Sequence, residues 1–298
     1  MTAPQIFDRT LLRQRRHRVA ATAADHGFLL DRVADDLRDR LAVVRRQFPA
    51  MLDLGTPHAG LAHRLGELPG TTLIVASEPT LTPHPHIQTV AADEEALPFK
   101  EASFDLVVSG LSLQFVNDLP GTLMQIRRAL KPDGLLLAAM LGGATLTELR
   151  QSMVAAEAEL EGGASPRVAP FADVRDLGGL LQRAGFALPV VDADSITVAY
   201  ATPLHLMREL RAMAAGNMLV ERSRRPLRRA TLMRACEIYQ QRFARPDGRV
   251  LATFEILTLT GWAPDPSQQQ PLKPGSAKVR LAAALGAKEV SLKEPNPE

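Results

Sequence analysis

The fold is decided by residues 48–60, which read Phe-Pro-Ala-Met-Leu-Asp-Leu-Gly-Thr-Pro-His-Ala-Gly. A short apolar run carries Asp53 and breaks at Gly55, which predicts a buried strand ending in a tight turn before a helix. In open α/β sheets, ligands bind outside the carboxyl ends of the strands, at the turns into the following helices. This turn is therefore the first candidate for a ligand site. Pro57 and Ala59 depart from a glycine-rich turn, because both residues carry a Cβ and proline also lacks an N–H.

Outward from this stretch, short apolar runs alternate with helical patterns, as in βαβ units with a mostly parallel sheet. The core strands are predicted at residues 50–54, 71–76, 87–92, 104–109 and 135–140. Helices are predicted at 58–66 and 119–130. Residues 131–134, Lys-Pro-Asp-Gly, have the composition of a turn. Thr145 and Glu148 have the spacing of a capping box, and Glu148 and Arg150 are candidates for substrate contact because they follow the fifth strand.

The flanking segments divide the chain into three predicted parts. Residues 1–46 are predicted to form N-terminal helices, residues 47–263 an α/β domain with a helical insertion at about 203–245, and residues 264–298 a C-terminal tail. The N-terminal part carries Arg9, Arg13, Arg15, Arg16 and Arg18. This arginine cluster is either a solvated helix face or a lid that touches a substrate or an acidic partner.

Composition restricts the classes of function. The chain is 46% hydrophobic and 23% charged, as in a globular protein, and its net charge of +2 gives no reason to expect a nucleic-acid partner. The single Cys236 excludes an intramolecular disulfide and a cysteine-based zinc site. His84 and His86 have no acidic partner at ligand spacing, so no metal site is expected. No apolar run is long enough to span a membrane, and we expect a cytoplasmic protein with at most peripheral membrane association.

Polar side chains follow the predicted strands at the edge where a ligand would lie. Asp53, Glu78, Asp93 and Ser109 all fall there. A carboxylate after the second strand suits a ribose, because it accepts hydrogen bonds from two vicinal hydroxyls. A carboxylate after the third strand can accept from an exocyclic amine. These residues predict a nucleoside-shaped pocket; the alternative, which spacing leaves open, is that the carboxylates only cap helices or stabilise loops.

Three further motifs carry a family resemblance: Ala92-Asp93-Glu94-Glu95-Ala96-Leu97-Pro98-Phe99, Ser103-Phe104-Asp105-Leu106-Val107-Val108-Ser109 and Leu130-Lys131-Pro132-Asp133-Gly134. In order and spacing they resemble class I S-adenosylmethionine-dependent methyltransferases over residues 50–140. The segment 111–118 is similar to the branch that contains the malonyl-carrier-protein O-methyltransferase of biotin synthesis. The resemblance implies a Rossmann-like α/β fold with a mostly parallel twisted sheet, a last antiparallel strand and an added helical insertion.

A second resemblance extends over nearly the whole chain. The motifs at 6–9 (Ile-Phe-Asp-Arg), 142–150 (Gly-Gly-Ala-Thr-Leu-Thr-Glu-Leu-Arg), 161–171, 253–256 and 275–277 resemble the family of a mitochondrial complex I assembly factor that hydroxylates an arginine of a complex I subunit. This resemblance implies a protein substrate such as a respiratory complex I subunit.

The resemblance also implies S-adenosylmethionine as cofactor and a set of cofactor-binding residues. That set comprises Asp53, Gly55, Thr56 and His58 in the first motif, Glu78 on the ribose, Asp93 and Glu94 on the adenine side, and Ser109, Leu111 and Gln114 beside the methionine part. No catalytic residue is implied. Three hypotheses stay open: methyl transfer to a protein or carrier-bound acceptor, arginine hydroxylation in complex I assembly, and a non-catalytic binding module on the same fold.

Overall fold

The computed structural model describes residues 5–78, 85–269, 279 and 281–286 of the chain. It comprises two compact units, Met1–Pro264 and Asp265–Glu298. In the second unit the described residues include one short helix, Leu281–Leu285. Most of the predicted tail, His84 and the motif at 275–277 lie outside the described residues.

The first unit is built on a single sheet. Within the described residues its strands are β1 (Ala50–Leu54), β2 (Leu73–Glu78), β3 (Gln88–Ala91), β4 (Phe104–Gly110), β5 (Leu130–Leu141), β6 (Ala187–Tyr200) and β7 (Val250–Trp262), in the order β3-β2-β1-β4-β5-β7-β6. The pairs from β3 to β5 are parallel, whereas β7 is antiparallel to both of its neighbours. The Rossmann-like fold predicted from the sequence is confirmed, including the antiparallel last strand.

Helices cover both faces of the sheet. They are α1 (Arg9–Val19), α2 (Phe28–Ala42), α3 (Gly60–Leu65), α4 (Leu119–Ala129), α5 (Thr147–Glu161), α6 (Val174–Arg183), α7 (Pro203–Ala212) and α8 (Arg229–Phe243). Successive side chains of a strand point to opposite faces of the sheet, so each strand contributes to two hydrophobic clusters. Met51 joins the cluster that includes α2, α3 and α5, whereas Leu52 joins the cluster that includes α4 and α6.

The N-terminal helix α2 and the later helices α7 and α8 also contact the sheet. A 3₁₀ segment, Ala20–His26, separates α1 from α2. Helices α7 and α8 lie within the predicted insertion at 203–245, and α8 packs on α5. The domain limits drawn from the sequence stay predictions. In the part of the chain that the structure describes, no helix has the length and apolarity needed to cross a membrane.

Two local predictions are wrong. Residues 131–134 do not form a separate turn; they belong to β5, whose register against β4 shifts there while Asp133 adopts a φ of 59°. The capping box is not formed either, since α5 begins after Leu146. Thr145 instead donates its hydroxyl to the carbonyl of Glu255, 3.2 Å away, and so links the segment before α5 to β7. Strand pairing in the first case and a side-chain hydrogen bond to β7 in the second override the local composition.

Candidate functional site

The first turn has an unusual backbone for its sequence. Gly55 follows β1 with a φ of +68°, and its N–H donates to the carbonyl of Ser77 over 2.6 Å. Pro57–Ala59 then form a 3₁₀ turn in which His58 and Ala59 have φ values of 58° and 51°. Both values lie in the left-handed region that favours glycine. The turn therefore keeps a backbone that glycine favours, although its sequence carries side chains there.

Thr56 and Asp53 tie this turn to its neighbours. The hydroxyl of Thr56 accepts a hydrogen bond from the N–H of Gly110 at 2.8 Å, which joins the turn to the end of β4. The buried carboxylate of Asp53 accepts from the N–H of Ala62 at 2.7 Å, and so fixes the start of α3. Desolvation is the largest influence on Asp53 and raises its pKa to about 7. Thr56 and Asp53 therefore hold the turn through hydrogen bonds to the end of β4 and to the start of α3.

Glu78 stands at the carboxyl end of β2 and is only 6% exposed. One carboxylate oxygen, Oε2, accepts from the N–H of His58 over 3.3 Å. Among the described residues the other oxygen, Oε1, is buried without a hydrogen-bond partner. Burial raises the pKa of Glu78 to about 7. A buried acceptor without a donor is unfavourable, and the hydroxyls of a ribose would supply the missing donors. The chemistry at this position fits a nucleoside.

Asp93 and Glu94 reach the same edge from beyond β3, but their carboxylates are already engaged. Arg9 donates to Asp93 Oδ1 over 2.7 Å and to Glu94 Oε2. Glu94 is 1% exposed and also accepts from the hydroxyl of Ser112, with 2.6 Å between the oxygens. A Cβ built on Gly55 would lie 2.4 Å from Glu94 Oε1. The acid expected on the adenine side is therefore present, and it packs directly against the glycine of the first turn.

Two residues of the arginine cluster belong to this site, which the solvated-face interpretation misses. Arg16 is 8% exposed, and its guanidinium donates to the carbonyl of Gly55 and to the hydroxyl of Ser112, each over 3.2 Å. Arg9 and Arg16 lie seven positions apart, so they share one face of α1, with the buried Leu12 between them. Arg13 and Arg18 are exposed, as the solvated-face interpretation expects.

The remaining predicted residues follow β4. The buried hydroxyl of Ser109 donates to the carbonyl of Leu54 over 2.7 Å, so it connects β4 to β1. Leu111 adopts a φ of 51°, and its carbonyl accepts from the side-chain amide of Gln114 at 2.8 Å. The amide oxygen of Gln114 is buried and, within the described residues, has no hydrogen-bond partner. Gln114 thus offers a second buried acceptor at this edge.

Two cavities adjoin these residues. The smaller, of about 110 Å³, is lined by Arg16, Pro57, His58, Leu111 and Gln114 among others. The larger, of about 650 Å³, extends toward α5 and α7. The two share six lining residues: Val19, Leu29, Phe115, Leu141, Met213 and Ala215. A ligand in the smaller cavity would therefore lie next to one in the larger cavity.

The larger cavity is mainly apolar with a cationic border. Arg15, Arg18, Arg167 and Arg211 line it. Arg167 is paired with the buried carboxylate of Glu157. Burial lowers the pKa of the Arg15 guanidinium, and the charges of Arg222 and Arg18 lower it further. Because neighbouring cations lower the pKa of Arg15, positive charge is in excess at this border.

Glu148 and Arg150, the predicted candidates for substrate contact, are engaged within the fold. Glu148 accepts from the N–H of Thr253 over 3.1 Å, which joins α5 to β7. Arg150 donates to the carbonyl oxygens of Gly143 and Thr145 at 3.3 Å. Among the described residues, no group of three or more His, Cys, Asp and Glu side chains could hold a metal ion.

Comparison with known proteins agrees with this architecture. Residues 69–138 match the family model described as a methyltransferase domain. A solved structure of a candidate methyltransferase from Bacillus halodurans C-125 superposes with a TM-score of 0.53, covering 78% of this chain and 99% of that one. With 17% sequence identity, this match shows the fold alone.

Curated relatives extend the similarity to most of the chain. The mitochondrial arginine-hydroxylase NDUFAF5 of Danio rerio is 41% identical over 285 residues, covering 93% of this chain and 88% of the relative. The malonyl-[acyl-carrier protein] O-methyltransferase of Halorhodospira halophila is 36% identical over 271 residues, covering 87% of this chain and 89% of the relative. Together with the sheet topology and the first turn, these matches show that the chain belongs to the family of methyltransferase-fold proteins that includes the NDUFAF5 arginine-hydroxylases and the malonyl-[acyl-carrier protein] O-methyltransferases.

Proposed function

We propose that this protein binds S-adenosylmethionine at the carboxyl ends of β1, β2 and β4 and transfers its methyl group to an anionic group on a protein or carrier-bound acceptor. The observation that carries the proposal is the buried, unpartnered carboxylate oxygen of Glu78 at the end of β2. In this fold a carboxylate at that position suits the two hydroxyls of a ribose. Gln114 adds a second buried acceptor at the end of β4.

The chain's own residues would hold and orient the reactants. Asp53 and Thr56 fix the turn, Glu78 holds the ribose, and the side chain of Gln114 faces the smaller cavity. When bound, S-adenosylmethionine supplies a methyl group attached to a positively charged sulfur. An acceptor carboxylate is already ionised, so no general base is required, and positioning supplies most of the rate enhancement. The apolar lining of the larger cavity would keep water from the acceptor.

The cationic border of the larger cavity bears on the kind of acceptor. A unit charge at about 4 Å from a guanidinium gains or loses roughly 1 kcal/mol in water and about 4 kcal/mol at an effective dielectric constant near 20. Arg15, Arg18 and Arg211 would therefore attract a carboxylate and repel a cationic side chain. This difference favours an anionic acceptor.

The second candidate is hydroxylation of an arginine on a protein, such as a respiratory complex I subunit. The higher identity to NDUFAF5, 41% over 93% of the chain, favours it. The border of arginines works against a substrate arginine, and for that reason we place hydroxylation second. A cytoplasmic location stays a prediction; the NDUFAF5 relative is named as mitochondrial.

The test compares proteins from a strain that lacks this gene with the same strain carrying either the wild-type gene or a Glu78→Gln variant. Proteins that co-purify with the wild-type protein are identified first, and each is then isolated from all three strains for intact-mass analysis, which reads out the modification. Methyl transfer predicts a gain equal to one CH₂ group, present with the wild-type gene and absent with Glu78→Gln. A gain of one oxygen atom would favour hydroxylation. No difference in mass between the strains would contradict both and favour a non-catalytic binding module.

A further inference from the structure

The inner face of α1 lies against the first turn, where Arg16 donates to the carbonyl of Gly55. Arg9 and Arg16 project from this face and retain only 10% and 9% of their side-chain exposure. The residues between them on the outer face, Arg13 and Gln14, are exposed. The helix thus directs Arg9 and Arg16 toward the first turn, whereas Arg13 and Arg18 are exposed.

Both carboxylate oxygens of Glu94, the acid expected on the adenine side, already have a hydrogen-bond donor within the chain. Glu94 accepts from Arg9 at Oε2 and from Ser112 at Oε1, and the Arg16 guanidinium lies 3.9 Å from Oε1. Arg16 also donates to the carbonyl of Gly55. A ligand that needs Glu94 or the face of Gly55 must therefore displace hydrogen bonds that the chain makes to itself.

The space above Gly55 leads to the same conclusion. A Cβ on Gly55 would meet Glu94 Oε1 at 2.4 Å and the hydroxyl of Ser112 at 2.7 Å. The donors and acceptors suit a nucleoside cofactor, but Glu94 and Ser112 already occupy the space beside Gly55, and Arg16 lines the smaller cavity next to it.

We propose that α1 is an internal competitor of the cofactor, with Arg16 and Glu94 as the groups that must leave the face of Gly55 before S-adenosylmethionine binds. Arg16 moves into solvent, where its guanidinium is hydrated, and Glu94 turns with Arg9 away from the turn. This inference rests on the proposed cofactor. It predicts that α1 loosens when the cofactor binds, whereas a helix that closes over the cofactor would tighten.

The test combines calorimetry with hydrogen exchange on the full-length protein, using S-adenosylmethionine as the ligand. Arg16→Gln removes the competing cation but keeps Arg9 on Glu94. Arg13→Gln is the matched control, because Arg13 lies on the exposed face of α1, where its guanidinium donates to the Thr10 hydroxyl of the same helix over 3.5 Å. Thermal unfolding of each variant verifies that it is folded.

We expect Arg16→Gln to bind S-adenosylmethionine about tenfold or more tightly than wild type, and Arg13→Gln to bind like wild type. In the wild-type protein, backbone amides of α1 should exchange faster when the ligand is present. This second readout needs no variant. Equal or weaker binding by a folded Arg16→Gln, or slower exchange in α1, would overturn the competition while the cofactor assignment stands. Absence of binding in all three proteins would overturn the cofactor assignment and the competition together.

Discussion

The Arg16 guanidinium donates to the backbone carbonyl of Gly55 over 3.2 Å, which joins the N-terminal helix to the turn after the first strand. These residues are 39 positions apart, and both are buried. The contact places a positive charge beside the carboxylates of Glu78 and Glu94, each of which raises the pKa of Arg16 against the stronger lowering by burial. The first turn is therefore organised both by the strands beneath it and by a helix that precedes them in the chain.

Gly55→Ala should destabilise the protein more than an alanine at another glycine with the same backbone. Gly162 is the matched control, because its φ is +71° and a Cβ there would meet nothing within 4 Å. Both alanines carry the left-handed strain of about 1–2 kcal/mol. Only the alanine at 55 also meets Glu94 and Ser112, so its free energy of unfolding should fall by about 1–3 kcal/mol more. Urea unfolding of the two variants measures this difference, and equal losses would contradict the packing described here.

Asp53→Asn should change how stability depends on pH. The native state raises the pKa of Asp53 from 3.8 to about 7 by burial, so between these values the folded protein holds a proton that the unfolded chain releases. Stability contributed by this group is therefore present at low pH and lost as the pH rises to about 7. The asparagine variant cannot titrate, so it should gain about 2–4 kcal/mol relative to wild type between about pH 4 and pH 8.

Urea unfolding at several pH values measures that gain. The exposed Asp39→Asn is the control, and its free energy of unfolding should follow that of wild type across the range. The pKa of Glu78 is also raised to about 7, and its charge adds to the raised pKa of Asp53, so the wild-type curve reports the two carboxyl groups together. Parallel curves for Asp53→Asn and wild type would show that burial of Asp53 does not shift its pKa.

Charge reversal at the border of the larger cavity should weaken binding of the acceptor. Arg18→Glu and Arg211→Glu should each raise KM for an anionic acceptor about tenfold, while affinity for S-adenosylmethionine stays within about twofold. Arg183→Glu changes the same charge at an exposed position at the end of α6 and is the control. Steady-state kinetics with the acceptor from the strain comparison gives these values. A lower KM for the two border variants would indicate a cationic acceptor, as arginine hydroxylation requires.

Much of the fold follows from local sequence. The strand at 50–54 is predicted with its observed limits, since five buried residues in a row are flanked by Pro49 and Gly55. The run Leu106-Val107-Val108 is apolar because β4 lies in the middle of the parallel sheet and is covered on both faces. Alternation of such runs with helical patterns is enough to predict the class of fold.

The buried contacts of the site are harder to predict from the sequence. Arg16 is typical of a solvated helix position, and only its partners at Gly55 and Ser112, 39 and 96 residues away, explain its burial. The signal that could have found it is the spacing of Arg9, Leu12 and Arg16 on one face of a helix. Glu148 has the spacing of a helix cap, yet it accepts from Thr253, 105 residues later. Long-range partners decide both cases.

The backbone conformation of the first turn is likewise decided by long-range partners and not by the local sequence. Pro57 and Ala59 argue against a glycine-type turn, but the hydrogen bonds from Gly55 to Ser77 and from Gly110 to Thr56 fix its start. His58 and Ala59 adopt left-handed conformations between Thr56 and Ala62, which is held by the carboxylate of Asp53. Such strain persists where the surrounding structure determines the backbone, and it is frequent at ligand sites. Sequence alone predicts the place of the turn but not its conformation.

The proposed cofactor site depends most directly on whether the carboxylate of Glu78 binds S-adenosylmethionine, and isothermal titration calorimetry measures this. Wild type should bind the cofactor, and Glu78→Gln should bind it at least about tenfold more weakly, since the amide keeps one acceptor but loses the charge. Glu67→Gln, an exposed glutamate just after α3, should bind like wild type. No measurable binding by either wild type or Arg16→Gln, or equal affinity of wild type and Glu78→Gln, would contradict the assignment of the cofactor site.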